Sequence, residues 1–313
     1  MNVLVTGGAG FIGRWVVSRL LQEENSVVVL DDLSNGSLEN LREFSNNPNL
    51  VVKTGDIKNK KTLSEIFRNK FDVVIHLAAN IIVQESIDNP QKVFDNDVIG
   101  TFNLLEEARK TNSRFVFMST CMVYDTASSK GAIGETHPTK AASPYAGAKL
   151  AGENMVQSYF HAYGLPTVIL RPFNTYGPFQ KSTGEGGVVS IFIDKALSRE
   201  PLSIYGDGTQ TRDLMYVEDC AEFVVMAAMS GQCTGEILNA GLGTDITIND
   251  LAAMICTDES RIKHVRHIHP QSEIPRLLCD PSKAKRLIGW EPKTSLQKGI
   301  GKTQAFIKKS RSG

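Results

Sequence analysis

Two side chains that could move a proton together, Tyr145 and Lys149, lie four residues apart in the stretch PYAGAKLAGEN. Residues at this spacing share one face of a helix. An ammonium group beside a phenol stabilises the phenolate and lowers the phenol pKa from its ordinary value of about 10. The tyrosine could then take the proton of an alcohol while a hydride leaves the same carbon. Ordinary amphipathic helices also show this spacing, but Thr120, 25 residues upstream at the end of an apolar run, adds a hydroxyl group.

A thiol and a thioether, Cys121 and Met122, directly follow Thr120. Met122 cannot exchange protons, and we interpret it as a spacer or packing residue. Cys121 can, because a thiol has an ordinary pKa of about 8.5 that falls beside a cation. Near Lys149 this thiol could act as an acid. Alternatively, Cys121 is a small buried residue that happens to carry sulfur, and the sequence leaves both interpretations open.

The N-terminal segment has the features of a dinucleotide site. TGGAGFIG places Gly7, Gly10 and Gly13 directly after the first apolar run. Glycines there allow a tight turn and a close approach of the backbone to a pyrophosphate, which the following helix N-terminus attracts. Asp31, 18 residues after Gly13, ends the second run. A carboxylate at this point binds the adenine ribose hydroxyls and repels a 2′-phosphate, so the sequence predicts NAD rather than NADP.

The elements that must position these residues alternate along the chain. Short β-branched runs such as NVLVT, SVVVLDD, DVVIHLA, RFVFMS and TVILRPF are separated by helical patterns. Continuous apolar strands between helices predict a parallel sheet covered on both faces. We predict an α/β fold, a Rossmann-type doubly wound parallel sheet with a smaller C-terminal α/β substrate lobe. The predicted NAD-binding domain spans 1–173 with about 213–243 returning to it, and the lobe spans 174–212 and 244–313.

The composition excludes several classes of partner. With 34 basic and 34 acidic residues the formal net charge is zero, which gives no reason to expect binding to nucleic acid or to a membrane surface. No apolar run approaches the roughly 18 residues that span a bilayer, and the first residues leave no room for a signal peptide. Five scattered cysteines without a CxxC pair predict free thiols in the cytoplasm. His267 and His269 lack further spaced ligands, so no metal site is predicted.

Nearly the whole chain resembles the extended short-chain dehydrogenase/reductases of the nucleotide-sugar epimerase/dehydratase group. The resemblance is carried by TGGAGFIG, LDDLSNGS, HLAA, STCMVY, YAGAK, RPFNTYGP, GDGTQTRDLMYVEDC and NAGLG. It implies that Thr120, Tyr145 and Lys149 are catalytic, that the substrate is a nucleotide sugar and that the protein is a homodimer. The implied dimer contacts are helices at about 90–110 and 144–163.

The resemblance also implies further binding residues. Besides the glycines, Asp31 and the catalytic pair, the implied cofactor contacts are Phe11, Ile12, Asn35, Asp56, Ile57, Ala78, Ala79 and Phe173. Asn174 and Arg212 are implied to hold the nucleotide diphosphate, because a guanidinium group matches phosphate oxygens in pairs. Arg276 is a candidate for a second arginine that contacts the phosphates.

The chain departs from the family pattern at three places. Asp97 stands where the family usually has asparagine, and HPQSE at 269–273 replaces the usual Arg-x-Gly-Asp. Cys121 and Met122 occupy two positions that are typically Asp-Glu in 4,6-dehydratases and small or neutral in 4-epimerases. The residues that distinguish these two reactions therefore fit neither pattern.

STCMVYD, RPFNTYGPFQKSTGEGGVVSIFI and HIHPQSEI together most resemble a dehydratase branch that acts on GDP- or UDP-N-acetylglucosamine, towards legionaminic-acid-type sugars. We therefore predict 4,6-dehydration by oxidation at C4, loss of water across C5–C6 and return of hydride to C6, which regenerates NAD. A UDP-hexose 4-epimerase is the alternative, because no carboxylate is visible beside Thr120. The base for the C5 proton is left open among Glu185, His161 and a tyrosine. A protein that only senses NAD would not need the proton-transfer pair.

Overall fold

The computed structural model describes residues 1–126, 131–182, 187–266 and 274–312. The strands are β1 (Asn2–Thr6), β2 (Ser26–Asp31), β3 (Leu50–Thr54), β4 (Val73–His76), β5 (Arg114–Met118), β6 (Thr167–Pro172), β7 (Asn174–Tyr176), β8 (Leu202–Tyr205), β9 (Thr211–Tyr216), β10 (Ile237–Ala240), β11 (Asp245–Thr247), β12 (Ile262–Val265) and β13 (Arg276–Leu277). The α-helices are α1 (Phe11–Gln22), α2 (Lys60–Ile66), α3 (Val83–Asp88), α4 (Pro90–Val93), α5 (Gly100–Thr111), α6 (Pro144–Tyr163), α7 (Val188–Leu197), α8 (Val217–Met229), α9 (Ile248–Ile255), α10 (Ser282–Ile288) and α11 (Leu296–Ser312). A π-helical turn, Phe94–Ile99, joins α4 to α5.

The main sheet has seven parallel strands in the order β10-β6-β5-β4-β1-β2-β3. Its order reverses direction at β1, as in a doubly wound fold. The predicted fold class is therefore confirmed.

Successive side chains of each strand enter two different cores, because strand residues alternate between the faces of a sheet. Val3 and Val5 pack with α1 and α8 on one face, whereas Leu4 packs with α2 and α5 on the other. Phe115 and Phe117 of β5 likewise share the second core. Since both faces of the sheet are buried, the strand sequences are continuous apolar runs and do not alternate between apolar and polar residues.

The smaller lobe contains two short sheets. One holds β11, β9 and β13 with β7 paired to β9, and the other pairs β8 with β12. Its core brings α7, α9 and α11 onto these strands through residues such as Phe192, Leu251 and Ile307. The lobe lies after the carboxyl end of β6, where the chain leaves the main sheet.

The chain returns to the main sheet more than once. Helix α8 packs against α1, and β10 then pairs with β6. Ala284 and Trp290, which the predicted boundaries place in the substrate lobe, are also buried in the first core, where Trp290 packs on Phe223. The segment around α10 thus packs on the main sheet, a contact that the predicted boundaries did not include. Among the described residues, no helix combines the length and apolar character needed to cross a membrane.

Candidate active site

The carboxyl ends of the parallel strands meet at one edge of the main sheet, and a cavity of about 330 Å³ opens there. Ligands of doubly wound sheets bind at this edge. Its lining includes most of the predicted site residues, namely Gly7, Gly10, Phe11, Ile12, Gly13, Asp31, Asn35, Ile57, Ala78, Ala79, Thr120, Cys121, Tyr145, Lys149, Phe173 and Asn174. Tertiary packing therefore assembles one site from positions spread over more than half of the chain.

The glycine turn between β1 and α1 leaves no room for side chains at two positions. Gly7 has a φ of 73°, and a Cβ atom there would lie 2.7 Å from the backbone nitrogen of Ala78. A Cβ atom on Gly13 would lie 2.1 Å from the carbonyl oxygen of Gly7. The turn thus needs glycine to bring the start of α1 against the strand ends, which fits the close approach of a pyrophosphate.

Asp31 is held in place by the turn that it faces. Its Oδ2 accepts the N–H of Ala9 at 2.9 Å, and its Oδ1 accepts the N–H of Leu33 at 2.9 Å. Burial raises the pKa of this carboxyl, and the two backbone N–H groups oppose that effect. A carboxylate fixed at the end of β2 suits the hydroxyls of an adenine ribose, so the residues at this end of the cavity fit NAD.

A short segment, residues 177–181, joins the substrate lobe to this cofactor end, and we call it the strap. Trp15 of α1 donates its indole N–H to the carbonyl of Pro178 at 3.3 Å. The ammonium group of Lys181 donates to Oδ1 of Asn35 at 2.6 Å. Phe179 has a φ of 71°, an uncommon value for a residue other than glycine. The strap therefore ties the two parts of the chain together beside the cavity.

The three predicted catalytic residues, Thr120, Tyr145 and Lys149, also line this cavity. Thr120 follows β5 and hydrogen-bonds to Tyr145. Ser143 caps α6 by accepting the N–H of Ala146 at 3.2 Å, so the helix presents Tyr145 in its first turn. Lys149, one turn later, donates to the carbonyl of Met118 at 3.0 Å. Tyr145 and Lys149 are both buried, in agreement with a site that excludes water.

The expected acidification of Tyr145 by Lys149 is wrong. Burial is the largest effect and raises the pKa of the phenol; the carboxyl of Asp97 raises it further, and the hydrogen bond with Thr120 lowers it. Burial also lowers the pKa of Lys149, against the opposing charges of Asp97 and Glu153. Sequence spacing foresaw the shared helix face but could not foresee the desolvation of both groups.

Cys121 does not have the electrostatic surroundings that the sequence suggested. Burial raises the pKa of its thiol to about 12, and the cation that partly opposes this shift is Arg212 rather than Lys149. The side chain packs with Phe173, Leu277 and Cys279 while still lining the cavity. The expected lowering of the thiol pKa is therefore wrong.

Three predicted binding residues lie outside the lining of the cavity. Asp56 forms an ion pair with Lys58 at 2.8 Å. Arg212 donates to the carbonyls of Thr211 and Ile274, at 2.7 and 2.9 Å. Arg276 lies on the neighbouring strand and pairs with Asp245 at 2.9 Å. The two arginines thus lie beside each other at the lobe side of the site.

The structure bears on two of the three candidates for the base that removes the C5 proton. His161 is exposed near the far end of α6, 16 residues beyond Tyr145, which is about 24 Å along a helix. Glu185 lies outside the described residues, as do His267, His269 and the HPQSE segment.

In the described part of the chain, no group of three or more metal-ligating side chains is present.

Sequence reasoning missed a buried ion pair beside the site. Glu153 of α6 binds Arg171 of β6, and Ser119 also donates to Glu153. Two signals could have found it. Glu153 lies four residues after Lys149 on the same helix face, and Arg171 is a charged residue that directly follows the apolar run Val168–Leu170 within its strand.

The family model of GDP-mannose 4,6 dehydratase matches residues 4–303. A putative UDP-glucose 4-epimerase from Methanocaldococcus jannaschii is 37% identical over 308 residues, 98% of each chain. The solved structure of Pal from Bacillus thuringiensis is 57% identical with a TM-score of 0.97, covering 99% of this chain and 100% of that one. The dTDP-glucose 4,6-dehydratase from Bacillus anthracis, solved with NAD, is 29% identical with a TM-score of 0.91, covering 100% and 98%.

Proposed function

Since the chain belongs to the GDP-mannose 4,6-dehydratase family of NAD-dependent nucleotide-sugar enzymes, we propose that it is a 4,6-dehydratase of a nucleotide-linked N-acetylglucosamine, with GDP or UDP as the carrier. The product would be the 4-keto-6-deoxy sugar. The proposed substrate is that of the dehydratase branch towards legionaminic-acid-type sugars, which this sequence resembles.

The trio at the end of β5 supports oxidation at C4. Thr120 hydrogen-bonds to Tyr145, and a C4 hydroxyl bound beside them can hand its proton to the Tyr145 oxygen when that side chain is in its ionised, phenolate form. Lys149 keeps a positive charge at this end of the cavity, because its buried ammonium group donates to the carbonyl of Met118. Bound NAD supplies the hydride acceptor and returns the hydride later in the cycle.

Substrate binding is proposed for residues on the lobe side. Asn174 lines the cavity, and its Oδ1 is buried with no hydrogen-bond partner among the described residues. A buried acceptor without a donor is costly, so a ligand hydroxyl or N–H group would stabilise it. Arg212, near Cys121, is the proposed contact to the diphosphate, with Arg276 beside it.

One observation carries the dehydratase over other reactions of the family: a thiol that keeps its proton lines the cavity directly after the catalytic threonine. With a pKa of about 12, Cys121 is protonated at neutral pH and is a proton donor rather than a nucleophile. Once C4 is a ketone, the C5 proton becomes acidic and passes to a base, for which Glu185 and a tyrosine remain the candidates; this base returns the proton to C5 when the hydride reaches C6. The C6–O bond breaks as the C5–C6 double bond forms, and the thiol proton converts the departing hydroxide to water. The proton that Tyr145 took from the C4 hydroxyl then restores the thiol.

A 4-epimerase is the second candidate, and a specific observation favours it. The carboxylates that line the cavity within the described residues, Asp31 and Asp32, lie at its cofactor end. Met122, beside the catalytic threonine, cannot exchange protons. Epimerisation needs only that the 4-keto sugar turns over before the hydride returns, so it makes no demand on these positions.

Incubation with GDP- and UDP-N-acetylglucosamine, followed by mass spectrometry and NMR, tests the proposal. Loss of one water with a methyl group at C6 supports the dehydratase. Unchanged mass with inverted configuration at C4 identifies an epimerase instead, and no conversion of either compound contradicts the proposed substrates.

Cys121→Ser and Cys121→Ala test the proton donor. Both variants are expected to slow elimination by roughly 10²-fold or more while C4 oxidation continues. Cys256→Ser is the matched control, because this cysteine is also buried but lies in the core of the smaller lobe. If the Cys121 variants form product at the wild-type rate, the thiol is a packing residue.

A further inference from the structure

Asp97 is a buried carboxylate in the π-helical turn Phe94–Ile99. Its Oδ1 accepts the N–H of Asn80 at 2.8 Å and the side-chain amide of Asn96 at 3.0 Å. Its Oδ2 is buried and has no hydrogen-bond partner among the described residues. A carboxylate oxygen left without a donor is costly to bury, so its position calls for an explanation beyond packing.

Helix α6, which carries the catalytic pair, packs against this turn. Lys149 is a buried cation, and a buried charge needs a compensating one. Glu153, the next acid along the same helix face, already holds Arg171 through both carboxylate oxygens. Two acids act on Lys149, namely Asp97 and Glu153. Of these, Asp97 is the one whose carboxylate has no other described cation within hydrogen-bond distance.

The electrostatic effects agree with this arrangement. Burial raises the pKa of Asp97, and the charge of Lys149 is the largest effect that opposes this shift. Asp97 in turn raises the pKa of Lys149 against burial and adds to the raised pKa of Tyr145. The other titratable or charged groups that act on these three side chains are Lys58, His76, Cys121 and Glu153. Of these, His76 is held between the hydroxyls of Thr6 and Thr101, and Cys121 keeps its proton.

We propose that Asp97 is a positioning residue that balances the charge of Lys149 and thereby sets the pH range in which Tyr145 accepts a proton. The inference rests on the proposed role of Tyr145 in C4 oxidation. It does not depend on whether the product is that of a dehydratase or of an epimerase, because both reactions begin with this oxidation.

Asp97→Asn removes the negative charge and keeps the shape of the side chain. The negative charge that raises the pKa of the Tyr145 phenol is then gone, so the phenol loses its proton at lower pH. In single-turnover measurements of NADH absorbance, the rising limb of the pH–rate profile is expected to move down by about one pH unit, roughly tenfold in rate below the midpoint. Asp97→Glu, which keeps the charge, is expected to restore the wild-type midpoint.

Asp95→Asn is the matched control. Asp95 lies on the same turn but is partly exposed and accepts a hydrogen bond from Gln91 at 2.8 Å. Its replacement is expected to leave the midpoint unchanged. A midpoint in Asp97→Asn that equals wild type, or that moves to higher pH, would overturn the proposal.

A second measurement does not need turnover. The ultraviolet difference between each protein and its Tyr145→Phe counterpart follows ionisation of this one phenol. Asp97→Asn should lower the ionisation midpoint relative to wild type, and an unchanged midpoint again rejects the role of Asp97. If the wild-type protein produces no NADH with any nucleotide sugar while the phenol midpoint still moves, the proposed function fails and the electrostatic role of Asp97 stands.

Discussion

The carboxylate of Glu153 and the guanidinium of Arg171 form a paired salt bridge inside the protein, with Nε to Oε1 at 2.8 Å and Nη2 to Oε2 at 2.5 Å. Both side chains are only 4% exposed. Ser119, next to the proposed catalytic residue Thr120, donates to the same carboxylate. The pair therefore joins α6 to the ends of β5 and β6, which are the elements that place Thr120, Tyr145 and Lys149.

Glu153→Gln leaves the Arg171 guanidinium buried without its counter-charge. The free energy of unfolding is expected to fall by about 3–5 kcal/mol, as measured by urea denaturation. Glu23→Gln is the control, because Glu23 forms an exposed ion pair with Arg19 at 2.7 Å. This substitution should lower the free energy of unfolding by at most about 0.5 kcal/mol. Equal losses in the two variants would show that burial of the Glu153 pair does not matter.

Tyr145→Phe removes the phenol oxygen and keeps the packing of the ring. C4 oxidation is expected to slow by roughly 10²- to 10⁴-fold, because the proton acceptor is gone, while NAD remains bound. Single-turnover NADH absorbance reports the first effect, and the nicotinamide content of the purified protein reports the second. Tyr163→Phe, on the exposed end of the same helix, should react normally. Near-full activity of Tyr145→Phe would remove Tyr145 from the mechanism.

Lys181→Ala breaks the hydrogen bond that ties the strap to Asn35. A charge-assisted hydrogen bond of this kind contributes about 1.5 kcal/mol, so NAD is expected to dissociate roughly tenfold faster from the loosened cleft. Dilution of the NAD-loaded protein followed by measurement of the retained nucleotide tests this. The control is Lys70→Ala, since Lys70 is exposed just before β4, at the opposite edge of the sheet. Equal dissociation rates would mean that the strap does not retain the cofactor.

His76 predicts a pH-dependent stability. Burial lowers its pKa from 6.5 to about 3, so the folded protein holds the neutral ring while the unfolded chain takes up a proton at higher pH. The stabilising contribution is complete above about pH 6.5 and is lost as the pH falls towards 3. His76→Asn should reduce the slope of unfolding free energy against pH in this window by about 1.4 kcal/mol per unit. His161→Asn, which changes an exposed side chain, is expected to keep the wild-type slope.

We propose that the chain forms a homodimer through the outer side of α4, α5 and α6. Phe94, Ile99 and Tyr163 expose apolar side chains on these helices and the turn between them, and such surface is stabilised by a partner. Phe94→Glu is expected to give monomers in light scattering, whereas Met254→Glu on α9 of the smaller lobe should stay dimeric. A wild-type monomer at micromolar concentration would contradict the proposal.

Some properties could be predicted from the sequence because they depend on neighbours along the chain. The turn at Gly7 and Gly13 follows from local geometry, since no side chain fits where the backbone doubles back. The shared helix face of Tyr145 and Lys149 follows from the period of the α-helix. The parallel sheet follows from strands whose successive residues are all apolar, because such strands need a core on each face.

Tertiary structure alone decided the electrostatics of the site, because desolvation and distant charges have no signature in spacing. Burial raises the pKa of Cys121, and the cation that opposes this shift is Arg212 rather than Lys149. The same holds for Tyr145, whose pKa burial and Asp97 raise although Lys149 is one turn away. Sequence thus determined which groups could exchange protons and on which elements they lie. Packing determined which of them hold a proton, since the free energy of a buried charge depends on every group around it.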